Sequence, residues 1–276
     1  FKDQFLVTAT VRRDGSTKFG ENNQYGTFPS FAAAWNISNG ILKDVDIIRN
    51  LRLRAGWGQT GSADVPGGAS KYRYSIVGPG NIINAANNPN PDLKWQADEQ
   101  INVVVDFSIF KNRVTVTADY FEKKTTDLLY PTITADPPPP GSPPTWRNID
   151  GEIKNSGVEL SINANIINQK DFNWDLGVFA TFQKNNVTGL TAPIQTGALN
   201  GQGISGATVE VIANDLPINA FVTKQFEGFD KDGFAIYTDG GYTLFNTGNP
   251  NPSTILGIST TLSFKKLSFT ANMNGA

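Results

Sequence analysis

The 276-residue sequence contains neither cysteine nor histidine, and each absence excludes a group of functions. Without cysteine, no disulfide framework and no thiolate metal site can form from these residues. Without histidine, no imidazole can act as a general base, as the partner of a nucleophile or as a metal ligand. Catalysis by Ser-His-Asp or Cys-His groups and at the common zinc sites is therefore excluded for this segment.

Charged residues are also scarce, and their signs nearly balance. They make up 17% of the sequence, below the roughly 25% of typical soluble domains. The formal net charge of -2 gives no reason to expect a nucleic-acid partner. No run of residues approaches the roughly 20 apolar residues of a membrane-spanning helix, and the mean hydropathy is only -0.27. The chain is therefore not a bundle of membrane helices.

The sequence also lacks the charged start and apolar middle of a signal peptide. Phe1 lies at the edge of a strand-like run, and residues 272–276 lie inside another. We therefore expect a piece of a longer chain, and the missing leader carries no information about secretion.

The sequence does contain a repeated alternation of apolar and polar residues. In NLRLRAGWGQTG, Leu51, Leu53 and Trp57 alternate with Arg52 and Arg54. Side chains of a strand point to opposite faces in turn, so this pattern predicts one apolar and one polar face. Similar runs of about ten residues occupy 4–12, 29–37, 50–58, 100–109, 113–121, 157–166, 173–183, 256–264 and 267–273. Ordinary strands average about five or six residues, whereas a tilted strand needs about ten to cross a bilayer.

The connections between these runs alternate in length. Tight turns lie at 110–113, 168–171 and 264–267, whereas long loops occupy 13–28, 60–99, 123–154 and 185–252. If successive runs are antiparallel, the tight turns all fall on one side. A transmembrane barrel with short periplasmic turns and long outer loops has this asymmetry. The connection 38–49 is long for the short side, and residues 42–48 are predicted to form a short helical turn there. Residues 220–237 are a candidate for two further strands.

The alternation by itself does not separate a membrane barrel from a soluble β-sandwich or solenoid, because their inner faces alternate in the same way. Strand length and loop asymmetry favour the barrel. The predicted fold class is all-β, an antiparallel transmembrane β-barrel whose apolar face meets lipid and whose polar face lines an aqueous lumen.

The polar face and the outer loops supply two sets of candidate binding residues. The candidates on the lumen face are Arg52, Arg54, Asn102, Asp106, Asp119, Glu159, Asn163 and Asn165. The candidates in the outer loops, which could stack on sugar rings, pack on a peptide or contact a lid, are Tyr72, Tyr74, Trp95 and Trp146. The alternatives are structural polar contacts for the first set, and loop anchoring or an interfacial aromatic girdle for the second. No catalytic residue is assigned.

Three further patterns have weaker implications. The proline run at 137–140 favours a stiff polyproline II segment that shapes the outer vestibule, contacts a lid or serves as a plain spacer. Asp230-x-Asp232-Gly233 resembles part of a calcium loop but lacks the later bidentate acid, so we expect a simple turn and no cofactor. The GxGxxG pattern at 201–206 has no βαβ context, and a flexible loop is predicted there.

Several segments, in order and spacing, resemble the SusC/RagA-type TonB-dependent transporters of Bacteroidetes. The segments are RRDGSTKFG at 12–20, YGTFPS at 25–30, LRLRAGWGQTG at 51–61, NPNPDLKW at 88–95, FSIFKNRVTVTADYFEKKTTDLL at 107–129 and NSGVEL at 155–160. The likeness extends over about residues 7–190 and is looser beyond. Residues 191–225 are hard to align, which leaves the choice of substrate open.

The resemblance implies a barrel of about 22 strands filled by an N-terminal plug, with a TonB box for energy transduction and a SusD-type lipoprotein lid. Residues 1–276 would form one partial barrel domain of central to late strands, without the plug. The expected location is the outer membrane of a bacterium of the Bacteroidetes type. The implied partners are a SusD-like surface lipoprotein, the TonB-ExbB-ExbD system acting through the unseen N-terminus, outer-membrane lipid, and an oligosaccharide or peptide ligand. Pairing of two transporter-lid units is left open.

The leading functional hypothesis is TonB-dependent import of oligosaccharides across the outer membrane, and the alternative is import of oligopeptides. A hypothesis from a different class is a structural or adhesive barrel that does not transport. An outer-membrane enzyme is disfavoured, because histidine is absent and no paired acids share an obvious site.

Overall fold

The computed structural model describes residues 2–42, 45, 47–80, 82–132, 142–201 and 204–276. Only the backbone is described for Val77, Ile82, Asn200, Gly201, Ile204, Ser205 and Gly206. The proline run at 137–140 lies outside the described residues, as do part of the GxGxxG pattern at 201–206 and part of the predicted helical turn at 42–48.

Strands dominate the described chain, as predicted. They are β1 Phe5–Gly15, β2 Tyr25–Asn36, β3 Ile48–Ser62, β4 Arg73–Val77, β5 Ile82–Asn87, β6 Gln96–Ile109, β7 Val114–Thr132, β8 Thr145–Asn168, β9 Phe172–Thr188, β10 Ile194–Gly201, β11 Ile204–Ile212, β12 Ala220–Thr223, β13 Phe226–Phe229, β14 Ala235–Tyr237, β15 Phe245–Gly248, β16 Thr254–Phe264 and β17 Leu267–Gly275. Short 3-10 helices occupy Glu21–Asn23, Ile37–Asn39 and Thr238–Gly241. Within the described ranges, no helix is long and apolar enough to cross a membrane.

Nine strands form one antiparallel sheet, which we call the wall. Its order is β1-β2-β3-β6-β7-β8-β9-β16-β17, so each strand lies beside the wall strand that precedes it in the chain. The nine runs predicted from the sequence are these nine strands. β1 and β17 are the two ends of the sheet order, and the wall is therefore an open section of a barrel.

The register of the wall keeps apolar residues on one face from strand to strand. One row contains Phe5, Trp35, Leu53, Val105, Ala118, Leu160, Ala180, Leu256 and Gly275. A slip of one residue in any pair would move that strand's apolar set to the other face, so this register agrees with the predicted alternation. Many side chains of this face remain exposed, including Val7, Ile258 and Phe269, as expected for a surface that meets lipid.

Side-chain contacts on the apolar face join neighbouring strands of the wall. Trp174 Nε1 donates to Thr260 Oγ1 at 2.9 Å, which satisfies the indole on a neighbouring strand. Phe31 stacks on Trp57 across β2 and β3, with ring centroids 5.9 Å apart. Such pairs suit a face without water, where an unpaired polar group is costly.

All nine wall strands extend beyond at least one of their predicted ends, and β7 and β8 extend furthest. Pairing of β7 with β8 continues past 121, and β8 pairs with β9 back to Glu152. The prediction of a loop throughout 123–154 is therefore wrong for 123–132 and 145–154. In these extensions both faces carry polar residues. The strands therefore stay paired after the alternation of apolar and polar residues, which is the sequence signal of a strand, has ended.

The tight turn between β6 and β7 consists of residues in left-handed backbone conformation. Phe110, Lys111 and Asn112 have φ of 53°, 57° and 65°. Asn112 tolerates this region better than most residues, and its Oδ1 accepts a 2.8 Å hydrogen bond from Ser108 Oγ. The turn reverses the chain within a few residues, as the sequence predicted.

The long loops fold into small units at the opposite end of the wall. β4 pairs with β5, β13 pairs with β14, and β10, β11, β12 and β15 form a four-stranded sheet. The strands found within 220–237 are β12, β13 and β14, so this stretch adds nothing to the wall. A cluster that we call the loop core is built on Phe19, Val65, Ala69 and Leu93.

Candidate lumen face and outer cleft

The predicted lumen residues all project from the polar face of the wall, and Arg54 and Asp106 form its most connected pair. Arg54 Nε donates to Asp106 Oδ2 at 2.7 Å, and Arg54 Nη2 donates to Asp106 Oδ1 at 3.0 Å. Thr117 Oγ1 adds a 3.1 Å hydrogen bond to the same carboxylate. This two-pronged geometry holds both side chains in fixed positions across β3, β6 and β7.

Asn102, Asp119 and Glu159 form a second polar group on this face. Asn102 Nδ2 lies 3.3 and 3.4 Å from the two carboxylate oxygens of Asp119. Asp119 is directly opposite Glu159 in the register of β7 and β8, where like charges repel. The carboxylate of Glu159 has no hydrogen bond or ion pair within the described chain. The pair therefore makes this part of the face electronegative.

Asn163 and Asn165 lie nearer to the short-turn end and are not brought into this group. Asn163 Nδ2 donates a long 3.4 Å hydrogen bond to Ser161 Oγ. Asn165 Nδ2 donates to Asp175 Oδ1 at 2.7 Å. The predicted lumen residues thus share one face but do not converge on a single point, as expected for the lining of a wide channel.

Arg52 is a predicted lumen residue whose side chain has a buried donor without a partner in the described residues. It faces Asp106 in the register, but Asp106 is bonded to Arg54, and Arg52 Nε is buried without a hydrogen-bond partner in the described residues. Arg52 borders a hollow of about 240 Å³ whose other lining includes Ala32, Ala34 and Gly56. An oxygen acceptor entering this hollow would satisfy the guanidinium.

The structure divides the four loop aromatics into two kinds. Trp95 and Trp146 pack against the loop core, and the Trp95 ring lies 4.7 Å from that of Phe19. Tyr72 and Tyr74 are exposed, with 64% and 66% of their surface accessible. The geometry of the tryptophans fits anchoring, and that of the tyrosines leaves their rings open to a ligand or lid. Ligand contact stays a prediction for all four.

Two of the motifs that carried the family resemblance meet in the loop core. Phe19, from RRDGSTKFG, and Leu93, from NPNPDLKW, are almost fully buried in it. Gly20 N donates to Leu93 O at 3.0 Å, and a Cβ on Gly20 would lie 1.6 Å from Pro91 O. The glycine is therefore required by close backbone approach, and both motifs have a structural role in joining two outer loops.

An outer cleft, which the sequence did not reveal, lies between the polar face of β6–β9 and the segment 218–252. Its volume is about 380 Å³, and amides dominate its polar lining: Gln96, Asn155, Gln183, Asn185, Asn249 and Asn251. The cleft arises because a distant segment folds back on the extended strands. Only the closely spaced amides at 183 and 185 signal it in the sequence.

On the opposite face of the extended strands, Glu122 and Lys154 form an ion pair outside the predicted bilayer span. Lys154 Nζ donates to Glu122 Oε2 at 2.9 Å, and Tyr120 Oη donates to the same oxygen at 3.2 Å. The hydrogen bond from Lys154 is the main cause that lowers the pKa of Glu122, and it correspondingly raises the pKa of Lys154. The pair contributes a fixed contact to the β7–β8 ladder.

The Asp230–Gly233 stretch forms the turn between β13 and β14. Asp230 Oδ1 accepts hydrogen bonds of 2.9 Å from the backbone N–H groups of both Asp232 and Phe234. One carboxylate oxygen therefore caps the turn, as expected for aspartate in this position. Among the described residues, no group of three or more acidic side chains is arranged to hold a metal ion.

Comparison with known proteins assigns the chain to a family. Residues 1–274 match the family described as "TonB dependent receptor-like, beta-barrel". The chain belongs to this family, and it is a section of an outer-membrane β-barrel of the SusC/RagA type found in Bacteroidetes.

Individual relatives agree with this assignment. TonB-dependent receptor SusC of Bacteroides thetaiotaomicron is 36% identical over 203 residues, which are 68% of this chain and 20% of SusC. TonB-dependent receptor P3 of Formosa agariphila is 34% identical over 201 residues, 69% of this chain and 19% of P3. The solved structure of the RagAB peptide transporter shares the fold, with a TM-score of 0.81 at 22% identity over 99% of this chain and 31% of that one. The chain thus spans about a fifth to a third of the length of these proteins. Their names describe receptors and transporters, which supports a non-enzymatic role in general.

Proposed function

We propose that this chain is the wall of a transporter that imports oligosaccharides across the outer membrane, driven by TonB and acting with a SusD-like surface lipoprotein. The observation that carries the proposal is the nine-stranded register, which separates a lipid-facing apolar surface from a polar face with fixed charges. A wall of this kind suits an aqueous passage through a membrane. Membership of the TonB-dependent receptor family supplies the coupling to TonB in this proposal.

The wall acts in this proposal by positioning and hydration, and no bond of the cargo is broken. Arg54 and Asp106 hold a wetted surface on β3 and β6, and Asp119 with Glu159 adds negative charge beside it. Such groups let polar cargo pass without being stripped of hydrogen-bonding partners. The exposed rings of Tyr72 and Tyr74 suit stacking on sugar faces at the outer end.

Oligopeptide cargo is the second candidate, because the RagAB structure that shares this fold is that of a peptide transporter. The sequence identity of 22% supports the fold alone, and the choice between the cargoes therefore depends on the groups at the outer end of the wall. Amide-rich lining and exposed tyrosines favour the saccharide.

The test is whole-cell uptake by the source strain, by a strain that lacks the full-length gene, and by a strain that lacks TonB. Fluorescent neutral oligosaccharides and fluorescent oligopeptides are supplied in parallel. We expect saccharide uptake to be lost in both deletion strains, and the full-length gene to restore it only in the strain from which that gene was deleted. Loss of peptide uptake alone would favour the second candidate, and unchanged uptake of both would favour a structural or adhesive barrel.

A further inference from the structure

We propose that the outer cleft binds a neutral, polyhydroxylated part of the cargo, about one or two sugar residues in length. The inference rests on the proposed function, because it assigns a place on the wall to the imported saccharide. The volume of about 380 Å³ lies within the usual range for small-molecule sites.

In two asparagines of the cleft, the side-chain oxygen accepts a hydrogen bond and the NH2 group has no partner in the described residues. Asn155 Oδ1 accepts a hydrogen bond of 2.6 Å from Asn185 Nδ2, and Asn249 Oδ1 accepts one of 2.9 Å from the backbone of Asn251. The NH2 groups of Asn155 and Asn249 have no partner within the described chain. They are fixed donors that point at no protein acceptor.

Two glutamines show the same arrangement. Gln96 Oε1 accepts a 3.3 Å hydrogen bond from the backbone of Leu129, which leaves its NH2 group free. Gln183 Nε2 donates to Pro252 O at 2.9 Å, which leaves its Oε1 free as an acceptor. The cleft therefore offers both donors and an acceptor in positions set by the protein, and hydroxyl groups can pair with either kind.

Two of the three charged residues that border the cleft form an ion pair, which leaves little free charge for an ionic ligand. Asp98 Oδ2 lies 3.3 Å from Lys123 Nζ, and Asp98 Oδ1 accepts a 2.5 Å hydrogen bond from Thr125. Lys184 also borders the cleft, but the register places its side chain on the face of Phe182, opposite to that of Gln183. A neutral ligand with many hydroxyls fits this balance better than a peptide with charged termini or side chains.

The far side of the cleft is tied to β9, so the site has a defined shape. Asn185 Oδ1 accepts a 2.6 Å hydrogen bond from the backbone of Ile218, and Asn251 Nδ2 donates to Ile218 O at 3.1 Å. Apolar side chains of Leu128, Ile153 and Ile218 complete the lining. They provide surface for the C–H faces of a sugar ring.

The test replaces the free donors without removing the acceptors that hold the fold. The double variant Asn155→Asp/Asn249→Asp keeps the side-chain oxygens that accept from Asn185 and Asn251 and loses both free NH2 groups. The matched control is Asn246→Asp, because Asn246 is exposed, is absent from the cleft lining, and likewise uses Oδ1 to accept from a backbone N–H, that of Gly248. Binding is measured by calorimetry on full-length protein purified in detergent.

The probes are neutral hexasaccharides of glucose, xylose, mannose and fructose, with hexaalanine as the peptide probe. We expect a hexasaccharide to bind the wild type, the double variant to bind it at least about tenfold more weakly, and the control to match the wild type. Binding of no hexasaccharide, equal binding by the double variant, or an effect confined to hexaalanine would overturn the inference.

This result is separable from the fate of the proposed function. TonB-dependent uptake together with unchanged binding by the double variant would support the proposed transport function and contradict ligand binding in the outer cleft. Weakened binding by the double variant, in a protein that shows no uptake, would support ligand binding in the outer cleft and contradict the proposed transport function.

Discussion

Arg54 and Asp106 illustrate how single residues keep charge on a strand whose other face meets lipid. Their two hydrogen bonds, with a third from Thr117, satisfy a carboxylate that is only partly accessible to solvent. The pair stabilises the fold mainly because it prevents a partly buried carboxylate from being left unpaired. Without Arg54, the desolvation of Asp106 would not be compensated.

Arg54→Met is expected to lower the free energy of unfolding by about 1–3 kcal/mol, because it leaves Asp106 with Thr117 as its single donor. The double variant Arg54→Met/Asp106→Leu is expected to recover most of this loss, since neither charge remains. Urea-induced unfolding of the full-length protein in detergent micelles measures both. A double variant as unstable as the single one would contradict this account.

The Glu122–Lys154 pair predicts a pH dependence at the outer end of the wall. The pKa of Glu122 is lowered in the folded state, so its contribution is present above the unfolded value of about 4.3 and is lost as pH falls through the folded pKa. The pKa of Lys154 is raised, so its contribution is present below about 10.4 and is lost as pH rises through the folded pKa.

We therefore expect the difference in unfolding midpoint between wild type and Glu122→Gln to be constant from about pH 6 to 9 and to shrink towards zero below about pH 4. Unfolding of the full-length protein is followed across this range, with Glu21→Gln, at an exposed carboxylate, as the matched variant that leaves the pair intact. A difference independent of pH down to about pH 3 would argue against the ion pair.

At the scale of elements, the sequence predicted the wall well and its outer end poorly. Alternation is visible wherever one face meets lipid, as from Val114 to Tyr120, so the nine strands and their order could be predicted. Beyond the bilayer both faces are polar, as at Lys123 and Lys124, and the pattern no longer marks the strand. The outer cleft depends on contacts between β9 and residue Ile218, which local sequence does not encode.

The two faces of β8 are expected to tolerate charge very differently. Ile162→Arg places a guanidinium on the lipid face near the middle of the span and should cost about 2–4 kcal/mol, whereas Ser161→Arg faces the lumen and should cost much less. Folding yield and urea unfolding in lipid vesicles compare them. Equal costs would mean that the apolar face does not meet lipid.

The loop core is expected to hold the outer loops together as one unit. Phe19 is 1% exposed, and Phe19→Ala should cost about 3–5 kcal/mol and loosen the loops that carry Val65 and Leu93. Limited proteolysis of intact cells should then cut these loops faster, whereas Tyr72→Ala, at an exposed position, should leave the cutting rate unchanged. Equal protease resistance of Phe19→Ala and wild type would show that the loops are held by other contacts.

For the whole molecule, the absence of cysteine from this segment makes the orientation directly measurable. Lys170→Cys lies at the short-turn end and Lys231→Cys lies in the turn between β13 and β14 at the long-loop end. In a full-length protein free of other cysteines, a membrane-impermeant maleimide should label Lys231→Cys on intact cells. It should label Lys170→Cys only after the outer membrane is permeabilised, and the reverse result would invert the assigned orientation.

The ladder of β7 and β8 pairs continuously from Val114 to Thr126. It therefore couples the orientation of the membrane-embedded strands to that of the outer end of the wall. The strand portions embedded in the bilayer and those that border the outer cleft at Lys123, Thr125, Ile153 and Asn155 belong to one ladder without a register shift between them. A change in strand tilt, such as a thinner or thicker bilayer would impose, must therefore swing the rim of the cleft as well. If the outer cleft binds cargo as proposed, its affinity should then depend on bilayer thickness.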